Sequence, residues 1–269
     1  MLPLCERTNL VRIFAEKLLK KFKIPVADTA ERLYSRELEK SARREWRAKI
    51  FSAGTGTNIP SITRRPIESL PQLLAQRREI TVLEVGAGAN HDRTSTKPVS
   101  VADPRDGKLY PLIVTEPWQL ARQLAKGTAS FTVDILDVHP GIIDWIEIAK
   151  TAPPQGPEIP ADLYDRAISE KLHPVLGDVL DLSLHARLTK EYDLVVALGT
   201  LESLAGNGAN PRAMAIAAFL LLASHLKPDG VFLTDSETVR NFAMQHCFSN
   251  LVWFTYETVG LPLDARFFI

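Results

Sequence analysis

The sequence predicts an α/β fold built on a mostly parallel sheet with helices on both faces. Between residues 80 and 235, strand-like apolar runs and helical segments alternate five times. The run at residues 192–200 is almost wholly apolar, as expected for a parallel strand that helices cover on both faces. Two β-rich runs near the end of the chain, residues 251–256 and 266–269, indicate a terminal hairpin.

The composition is that of an ordinary soluble protein with one large core. The chain has 269 residues, of which 45% are hydrophobic and 24% are charged. Its two cysteines, Cys5 and Cys247, lack metal-ligand spacing and are too few for a disulfide framework. There is no signal-peptide pattern, and the longest apolar run, residues 213–223, is far shorter than the roughly 20 residues that span a bilayer. We therefore expect a cytoplasmic protein with no membrane partner and no metal site.

The charges divide unevenly although the formal net charge is zero. Residues 1–78 carry 17 Lys and Arg against 8 Asp and Glu, whereas the remainder carries 15 against 24. We expect a basic helical extension over residues 1–78, followed by an α/β domain over residues 79–269. The extension could attract nucleic acid or an anionic substrate, or it could dock on the acidic domain of its own chain.

Within the extension, apolar residues at helical spacing predict a helix over residues 10–22. A second helix is predicted at about residues 28–51, and a short one at 67–76. Between these two, residues 52–60 are rich in glycine and polar residues, which favours a linker or a lid hinge.

The α/β domain opens with the strand 80–85, which contains Glu84 near its end and breaks into a turn containing Gly86 and Gly88. Glycines let the backbone pass close to a ligand, so this pattern is typical of a cofactor loop, but it also occurs in ordinary tight turns. Residues 91–111, with several prolines, predict an inserted loop. A helix with proline near its start and glycine at its end follows at residues 116–127.

Later strands carry further acidic residues at their ends. The strand 131–137 closes on Asp137, a position where carboxylates in nucleotide-binding folds accept hydrogen bonds from ribose hydroxyls, whereas Asp134 is expected within the strand. A short strand at residues 173–180 contains Gly177 and Asp178. After the strand at 192–200 we predict, in order, a helix at residues 211–226, a turn at 227–230 and a strand at 231–235.

Taken in order, these motifs resemble those of the class I S-adenosylmethionine-dependent methyltransferases. Residues 83–88 resemble the glycine-rich first motif, 177–179 the segment that contacts adenine, 192–204 the fourth strand and the loop facing the methyl group, and 226–231 the turn into the fifth strand. The resemblance covers about residues 80–269. It implies a Rossmann-like fold with a seven-stranded, mostly parallel sheet, a terminal antiparallel hairpin and flanking helices.

The resemblance also implies a transferase that uses S-adenosylmethionine and releases S-adenosylhomocysteine. The residues that it places around the cofactor are Glu84, Gly86, Ala87, Gly88, Asp137, Val138, Asp178, Val179 and Leu198. The chain departs from the family in two respects. The spacing from Gly88 to Asp137 is about twice the usual one, because of the insertion, and Asn90 lies near the place of a third glycine.

Methyl transfer needs no compulsory catalytic side chain, because the sulfonium methyl is already electrophilic and the protein mainly aligns an acceptor. The chain lacks the Asn/Asp-Pro-Pro-aromatic sequence of base N-methylating members, and it has no Pro-Cys pair there. Glu202 is the first candidate for a base or a substrate-orienting group, with helix capping or a solvent-facing charge as its alternative. His91 is the second, with a surface position in the insertion as its alternative. His139 is interpreted as part of the cofactor-pocket wall.

Three functions are consistent with the sequence. The favoured one is methylation of a small organic acceptor on oxygen, nitrogen or carbon, with the extension and the insertion forming a cover. Methylation of RNA or protein, docked on the basic extension, is the second. The third is a non-catalytic scaffold that retains the fold. The sequence does not predict an oligomeric state. Four aromatic residues are candidates for lining a pocket, although at helical spacing each belongs more often to a core: Phe14, Tyr34, Trp46 and Trp118.

Overall fold

The computed structural model describes residues 4–22, 77–87, 90–91, 100–102, 109–113, 116–127, 130–138, 140–153, 164–198, 200–204, 210–234, 236–245, 251–258 and 261–268. The strands are β1 (Glu79–Val85), β2 (Asn90–His91), β3 (Ser100–Ala102), β4 (Leu109–Ile113), β5 (Ser130–Asp137), β6 (Leu172–Leu176), β7 (Tyr192–Ala197), β8 (Leu226–Thr234), β9 (Leu251–Thr258) and β10 (Leu261–Phe268). The helices are α1 (Leu4–Lys21), α2 (Glu116–Gly127), α3 (Pro140–Thr151), α4 (Arg166–Ser169), α5 (Leu182–Arg187), α6 (Leu201–Leu204), α7 (Pro211–Ala223) and α8 (Glu237–Gln245).

The main sheet has the strand order β6-β5-β1-β7-β8-β10-β9. Strand β1 pairs in parallel with β5 and β7, which pair in parallel with β6 and β8 respectively. Strand β10 is antiparallel to both β8 and β9. The predicted fold class, a mostly parallel Rossmann-like sheet with a terminal antiparallel hairpin and flanking helices, is therefore confirmed.

Helices cover the parallel strands on both faces. On one face, apolar residues of α2 and α3 pack against β1, β5 and β7 around Trp118 and Trp145, and the indole N–H of Trp118 donates to Ser169 Oγ at 2.8 Å. On the other face, α1, α5, α7 and α8 pack against the same strands and β8, with Phe219 and Phe232 meeting edge to face. Burial on both faces explains why β7 is apolar along nearly its whole length.

The N-terminal helix was predicted over residues 10–22 and is longer, because it begins at Leu4. Ala15 and Leu19 are buried on the α7 face of the domain, whereas Phe14 is exposed. Trp118 is a core residue and does not line a pocket, whereas a pocket role for Phe14 stays a prediction. The other extension predictions, which are the helices at 28–51 and 67–76, the segment 52–60, Tyr34 and Trp46, lie outside the described residues.

The inserted segment differs from the irregular loop that its prolines led us to expect. It contains a small antiparallel sheet with the order β2-β4-β3, which begins directly beyond the glycine loop, and β4 lies against α3. The sequence analysis missed these strands because it took the prolines as markers of a loop. Proline interrupts a strand pattern and cannot donate a backbone hydrogen bond.

The turn predicted at residues 227–230 is part of strand β8. Tyr192 pairs with Leu226 and Leu194 pairs with Val231, so β8 carries extra residues at a local irregularity in the ladder. Proline and glycine are tolerated at such a bulge, and their presence therefore did not mark the end of a strand.

Four residues at the starts of strands form a compact charged cluster, here called the amino edge: Arg77, Thr81, Asp193 and Lys227. The buried carboxylate of Asp193 accepts hydrogen bonds from Lys227 Nζ at 2.8 Å, from the Thr81 backbone N–H at 2.8 Å and hydroxyl at 2.9 Å, and from Arg77. Burial raises the pKa of Asp193, but these donors outweigh that effect and the net pKa is lowered. The cluster ties β1, β7 and β8 together.

None of the helices in the described ranges is long and apolar enough to cross a membrane.

Candidate functional site

The candidate site lies where the strand order changes direction. From β1 the chain order runs outward through β5 and β6 on one side and through β7 and β8 on the other, so β1 and β7 flank a topological switch point. In open α/β sheets, ligands bind in the crevice outside the carboxyl ends of the strands at such a point. We call the described parts of the segments that leave β1, β5, β6 and β7 the carboxyl edge; they comprise residues 85–87, 136–138, 176–181, 198 and 200–204.

Backbone hydrogen bonds join these segments. The Gly86 N–H donates to the carbonyl oxygen of Leu136 at 2.9 Å, and the Gly177 N–H donates to that of Asp137 at 3.0 Å. Three of the four segments thereby form one connected layer. The motifs that the sequence placed in separate strands do converge on a single surface.

Gly86 occupies a position that only glycine fits. Its φ is +76°, and a Cβ added there would lie 2.2 Å from Thr200 Oγ1. A side chain would be strained by the backbone conformation and would also collide with Thr200. The first glycine of the motif is therefore required for the close approach of the segments after β1 and β7, while Gly88 lies outside the described residues.

Asp137 closes β5 and faces the glycine loop. The residue is 7% exposed, and its Oδ2 accepts the Ala87 N–H at 3.0 Å. A carboxylate offers about four acceptor positions, so it can hold a backbone amide and also accept from a ligand hydroxyl. Asp134 lies within β5, as predicted, where it accepts from Tyr192 Oη at 2.8 Å and from Lys190 Nζ at 2.9 Å.

Asp178, in the segment after β6, is 2% exposed. Its Oδ1 accepts the Leu180 N–H at 2.9 Å, whereas Oδ2 is buried and receives no hydrogen bond within the part of the chain that the structure describes. Burial raises the pKa of Asp178 to about 6, the Leu180 amide opposes this rise, and the negative charge of Asp181 adds to it. A buried acceptor of this kind is costly unless a ligand donates to it.

Two buried histidines, His185 and His225, contact each other, and His185 also bonds to the segment after β6. His185 Nε2 lies 2.7 Å from the carbonyl oxygen of Val179, to which it donates, and its Nδ1 lies 3.0 Å from His225 Nε2. Burial lowers the pKa of His185 to about 4 and also lowers that of His225. Neither histidine was identified from the sequence, since nothing local marks two residues that meet only in the fold.

The remaining described cofactor candidates are three apolar residues and one acidic residue. Val138 follows Asp137 and is partly exposed, and Val179 follows Asp178 and is nearly buried. Leu198 packs partly against the core on the α2 and α3 face. Glu84 is buried in β1, two positions before Gly86. Their contacts with a cofactor stay predictions.

The two catalytic candidates are placed through their backbones. Glu202 lies in α6, which starts directly after Thr200, and His91 lies in β2, where it pairs with Leu112. Their catalytic roles stay predictions. His139 lies outside the described residues.

Thr200 lies at the candidate site, and the sequence analysis did not single it out. Its hydroxyl donates to the carbonyl oxygen of Val85 at 2.7 Å, across the switch point. The described ranges contain no group of three or more His, Cys, Asp and Glu residues that could hold a metal ion.

No protein-family model matches the chain, and no curated protein matches it. Solved structures similar to it include precorrin-6y C5,15-methyltransferase from Geobacter metallireducens, with a TM-score of 0.43 and 11% identity, covering 79% of this chain and 91% of that one. Cofactor-bound Rv0187 from MTB has a TM-score of 0.44 and 14% identity, covering 85% and 89%. The glycopeptide N-methyltransferase MtfA, complexed with S-adenosyl-L-homocysteine, has a TM-score of 0.32 and 21% identity, covering 74% and 58%. Methyltransferases are thus among the solved structures to which this chain is similar.

Proposed function

We propose that this chain is an S-adenosylmethionine-dependent methyltransferase that acts on a small organic acceptor. The observation that carries the proposal is the buried Oδ2 of Asp178, which lacks a donor among the described residues. Its segment is bonded to the end of β5, the strand beside β1, and β1 borders the switch point. Such an acceptor suits a ligand that brings its own N–H donor.

The residues at the carboxyl edge fit the chemical groups of this cofactor. Adenine carries an exocyclic amine that can donate to Asp178, and ribose carries hydroxyls that can donate to Asp137. Val138 and Val179 follow these two acids and supply apolar surface for the flat ring. Gly86 keeps the loop after β1 free of a side chain, so the backbone can approach the ligand.

When bound, the cofactor supplies an electrophilic methyl group. The chain's own residues have three tasks, namely to bind the cofactor, to orient an acceptor beside it and to exclude water. Glu202 is the proposed proton acceptor, because α6 continues directly from Thr200 at the switch point. His91 is the second candidate, since β2 begins shortly after the glycine loop.

The placement of the insertion favours a small acceptor. Strand β2 starts next to the glycine loop, and β4 lies against α3, the helix that follows Asp137 closely. The small sheet therefore lies beside the segments after β1 and β5. We propose that this sheet covers the site, and a covered site suits a small molecule better than a folded polymer.

The first test is calorimetric titration of the full chain with S-adenosylmethionine and S-adenosylhomocysteine. We expect saturable binding that Asp178→Asn weakens by about tenfold or more, because the amide cannot replace a charged acceptor. Asp144→Asn, at an exposed position on α3, is the matched control and leaves the affinity unchanged. Folded wild-type protein that binds neither compound would contradict the proposal and favour the scaffold alternative.

The acceptor class is tested with methyl-labelled cofactor and separated cell fractions. Label that enters the small-molecule fraction supports the proposal. Label that enters RNA or protein instead contradicts the small-acceptor part of the proposal while keeping the methyl transfer.

A further inference from the structure

The peptide unit between Val85 and Gly86 is held at both ends. Its N–H donates to the carbonyl oxygen of Leu136 in β5 at 2.9 Å, and its carbonyl oxygen accepts the hydroxyl of Thr200 at 2.7 Å. The regular pairing of β1 with β7 ends one position earlier, where Glu84 is opposite Val196. Thr200 therefore continues the connection between these two strands beyond the point where the ladder stops.

This contact depends on the absence of a side chain at Gly86. A Cβ there would lie 2.2 Å from Oγ1, 3.0 Å from Cγ2 and 3.1 Å from Cβ of Thr200. The threonine side chain occupies the space that any other residue at position 86 would need. The carbonyl oxygen of Leu198 is a second, more distant acceptor for the same hydroxyl proton, at 3.2 Å, and it lies two residues earlier in the segment after β7.

The effect of the hydroxyl extends to the ribose candidate. The Val85–Gly86 peptide and the φ of +76° at Gly86 set the direction of the next amide, the Ala87 N–H. That amide donates to Asp137 Oδ2 at 3.0 Å, and the carboxylate is nearly buried. If the peptide rotated, Ala87 would withdraw its hydrogen bond and Asp137 would lose a contact that orients it.

We propose that Thr200 is a positioning residue of the candidate site. Its hydroxyl fixes the Val85–Gly86 peptide, and through Ala87 it fixes the carboxylate of Asp137 in the orientation that receives a ribose. The inference rests on the proposed function, since it identifies how the same site is held in its binding geometry. Preorganisation of this kind raises affinity by removing the cost of ordering the site when the ligand arrives.

The experiment compares Thr200→Val, which replaces the hydroxyl with a methyl group, with Thr200→Ser, which keeps the hydroxyl. The matched control is Thr81→Val at the amino edge, because that hydroxyl also bridges two strands, through Asp193 and the carbonyl oxygen of Glu191, but lies away from the carboxyl edge. Two quantities are measured for each full-length protein: the affinity for S-adenosylhomocysteine, and the hydrogen-exchange rates of the Gly86 and Ala87 amides without ligand.

We expect Thr200→Val to weaken S-adenosylhomocysteine binding about tenfold and to accelerate exchange at both amides by a similar factor, as the loss of one partly buried hydrogen bond predicts. Thr200→Ser restores both quantities to within about threefold of wild type. Thr81→Val lowers the melting temperature but changes neither the affinity for S-adenosylhomocysteine nor the exchange rates of the Gly86 and Ala87 amides.

A Thr200→Val protein with unchanged affinity and unchanged exchange would overturn the inference, as would a Thr200→Ser protein as impaired as Thr200→Val. The proposed function fails separately, when wild-type protein does not bind the compound. The exchange rates then still decide the inference about Thr200, because they are measured without ligand.

Discussion

Two aspartates, one at each edge of the sheet, are almost equally buried but differ in how many donors their carboxylates receive. Asp193, at the amino edge, is 1% exposed and receives hydrogen bonds from a lysine, an arginine and a threonine. Asp178, at the carboxyl edge, is 2% exposed, and its carboxylate receives only the Leu180 amide among the described residues. Burial alone raises both pKa values, but the donors reverse this effect at Asp193 and not at Asp178.

Under the proposed function, the difference separates a charge that stabilises the fold from one that receives a ligand donor. At the amino edge, the positive charges and the hydroxyl compensate the carboxylate without outside help. At the carboxyl edge, the fold tolerates an incompletely compensated acid, which costs stability until a donor arrives. Costly buried acids of this kind cluster at functional sites, and this is the physical basis for placing the ligand at the carboxyl edge.

The largest expected effect is at the amino edge. Asp193→Asn removes the charge that Lys227 and Arg77 share, so we expect it to lower the free energy of unfolding by about 3 kcal/mol. Chemical denaturation at pH 7 measures this change. The control, Glu191→Gln, changes an exposed neighbouring acid and leaves stability within about 0.5 kcal/mol of wild type. A comparable loss of cofactor affinity in Asp193→Asn would break the separation between the two edges.

Asp178 is expected to give the opposite pH dependence. Its pKa is raised from 3.8 to about 6 on folding, so the folded state keeps a proton that the unfolded state releases between these values. Stability attributable to Asp178 therefore falls as pH rises from 3.8 to 6, and the penalty is constant above 6. Relative to wild type, Asp178→Asn should gain up to roughly 3 kcal/mol of unfolding free energy between pH 4 and pH 7. Denaturation at several pH values gives the free energy of unfolding of each protein. If the two proteins showed the same pH dependence, the charge of Asp178 would be compensated by other groups in the folded protein.

The titration of His185 should make the free energy of unfolding fall at acidic pH through a residue that contacts the carboxyl edge. Its pKa falls from 6.5 to about 4 on folding, so the unfolded state takes up a proton as pH drops through this range while the folded state does not. Its stability contribution is complete above 6.5 and is lost as pH falls towards 4, by roughly 3 kcal/mol. Replacement by asparagine should remove this slope, whereas His173→Asn, at an exposed position, should retain it.

Hydrogen exchange locates the effect of this titration. The measurement uses Asp178→Asn protein, because Asp178 accepts the Leu180 N–H and titrates in the opposite sense over the same range. After correction for the intrinsic pH dependence of exchange, the Leu180 amide of that protein should become less protected between pH 6.5 and pH 4.5, because His185 holds the carbonyl oxygen of Val179 in the same segment. The Thr81 amide at the amino edge should change much less. Equal loss at both sites would indicate global unfolding and would remove the distinction between the edges.

The sequence predicted the parallel sheet, the hairpin and the strand ends that meet at the switch point, because apolar runs and glycine turns are local features. It also selected Asp137 over Asp134, and the structure places the first at the carboxyl edge and the second within a strand. Contacts between distant residues left no comparable pattern. Thr200 meets Val85, 115 positions earlier along the chain, and His185 meets His225, 40 positions later. An ordinary threonine or histidine acquires its role only when the strands pair.

Cofactor affinity should depend on pH through the same Asp178. In the proposed complex the adenine amine donates to the ionised carboxylate, so binding should favour loss of the proton and weaken as pH falls below about 6. We expect the affinity for S-adenosylhomocysteine to drop by up to about tenfold per pH unit below 6 and to level off above 7. Titrations between pH 5 and pH 8 measure it, and Asp178→Asn should flatten the profile in this range. A wild-type profile that is already flat would exclude Asp178 as the acceptor.

The smallest effect is expected at Asp134, which lies between the two edges and has one buried and one exposed partner. Tyr192 is buried, whereas the Lys190 side chain is 55% exposed and its charge is screened by water. Lys190→Gln should therefore lower the free energy of unfolding by less than about 1 kcal/mol, and Tyr192→Phe by about 1 to 2 kcal/mol. Denaturation of the two variants beside wild type makes the comparison. If Lys190→Gln proved the more damaging, exposure would not govern the value of these contacts, and the contrast drawn between Asp178 and Asp193 from burial and donors would need another cause.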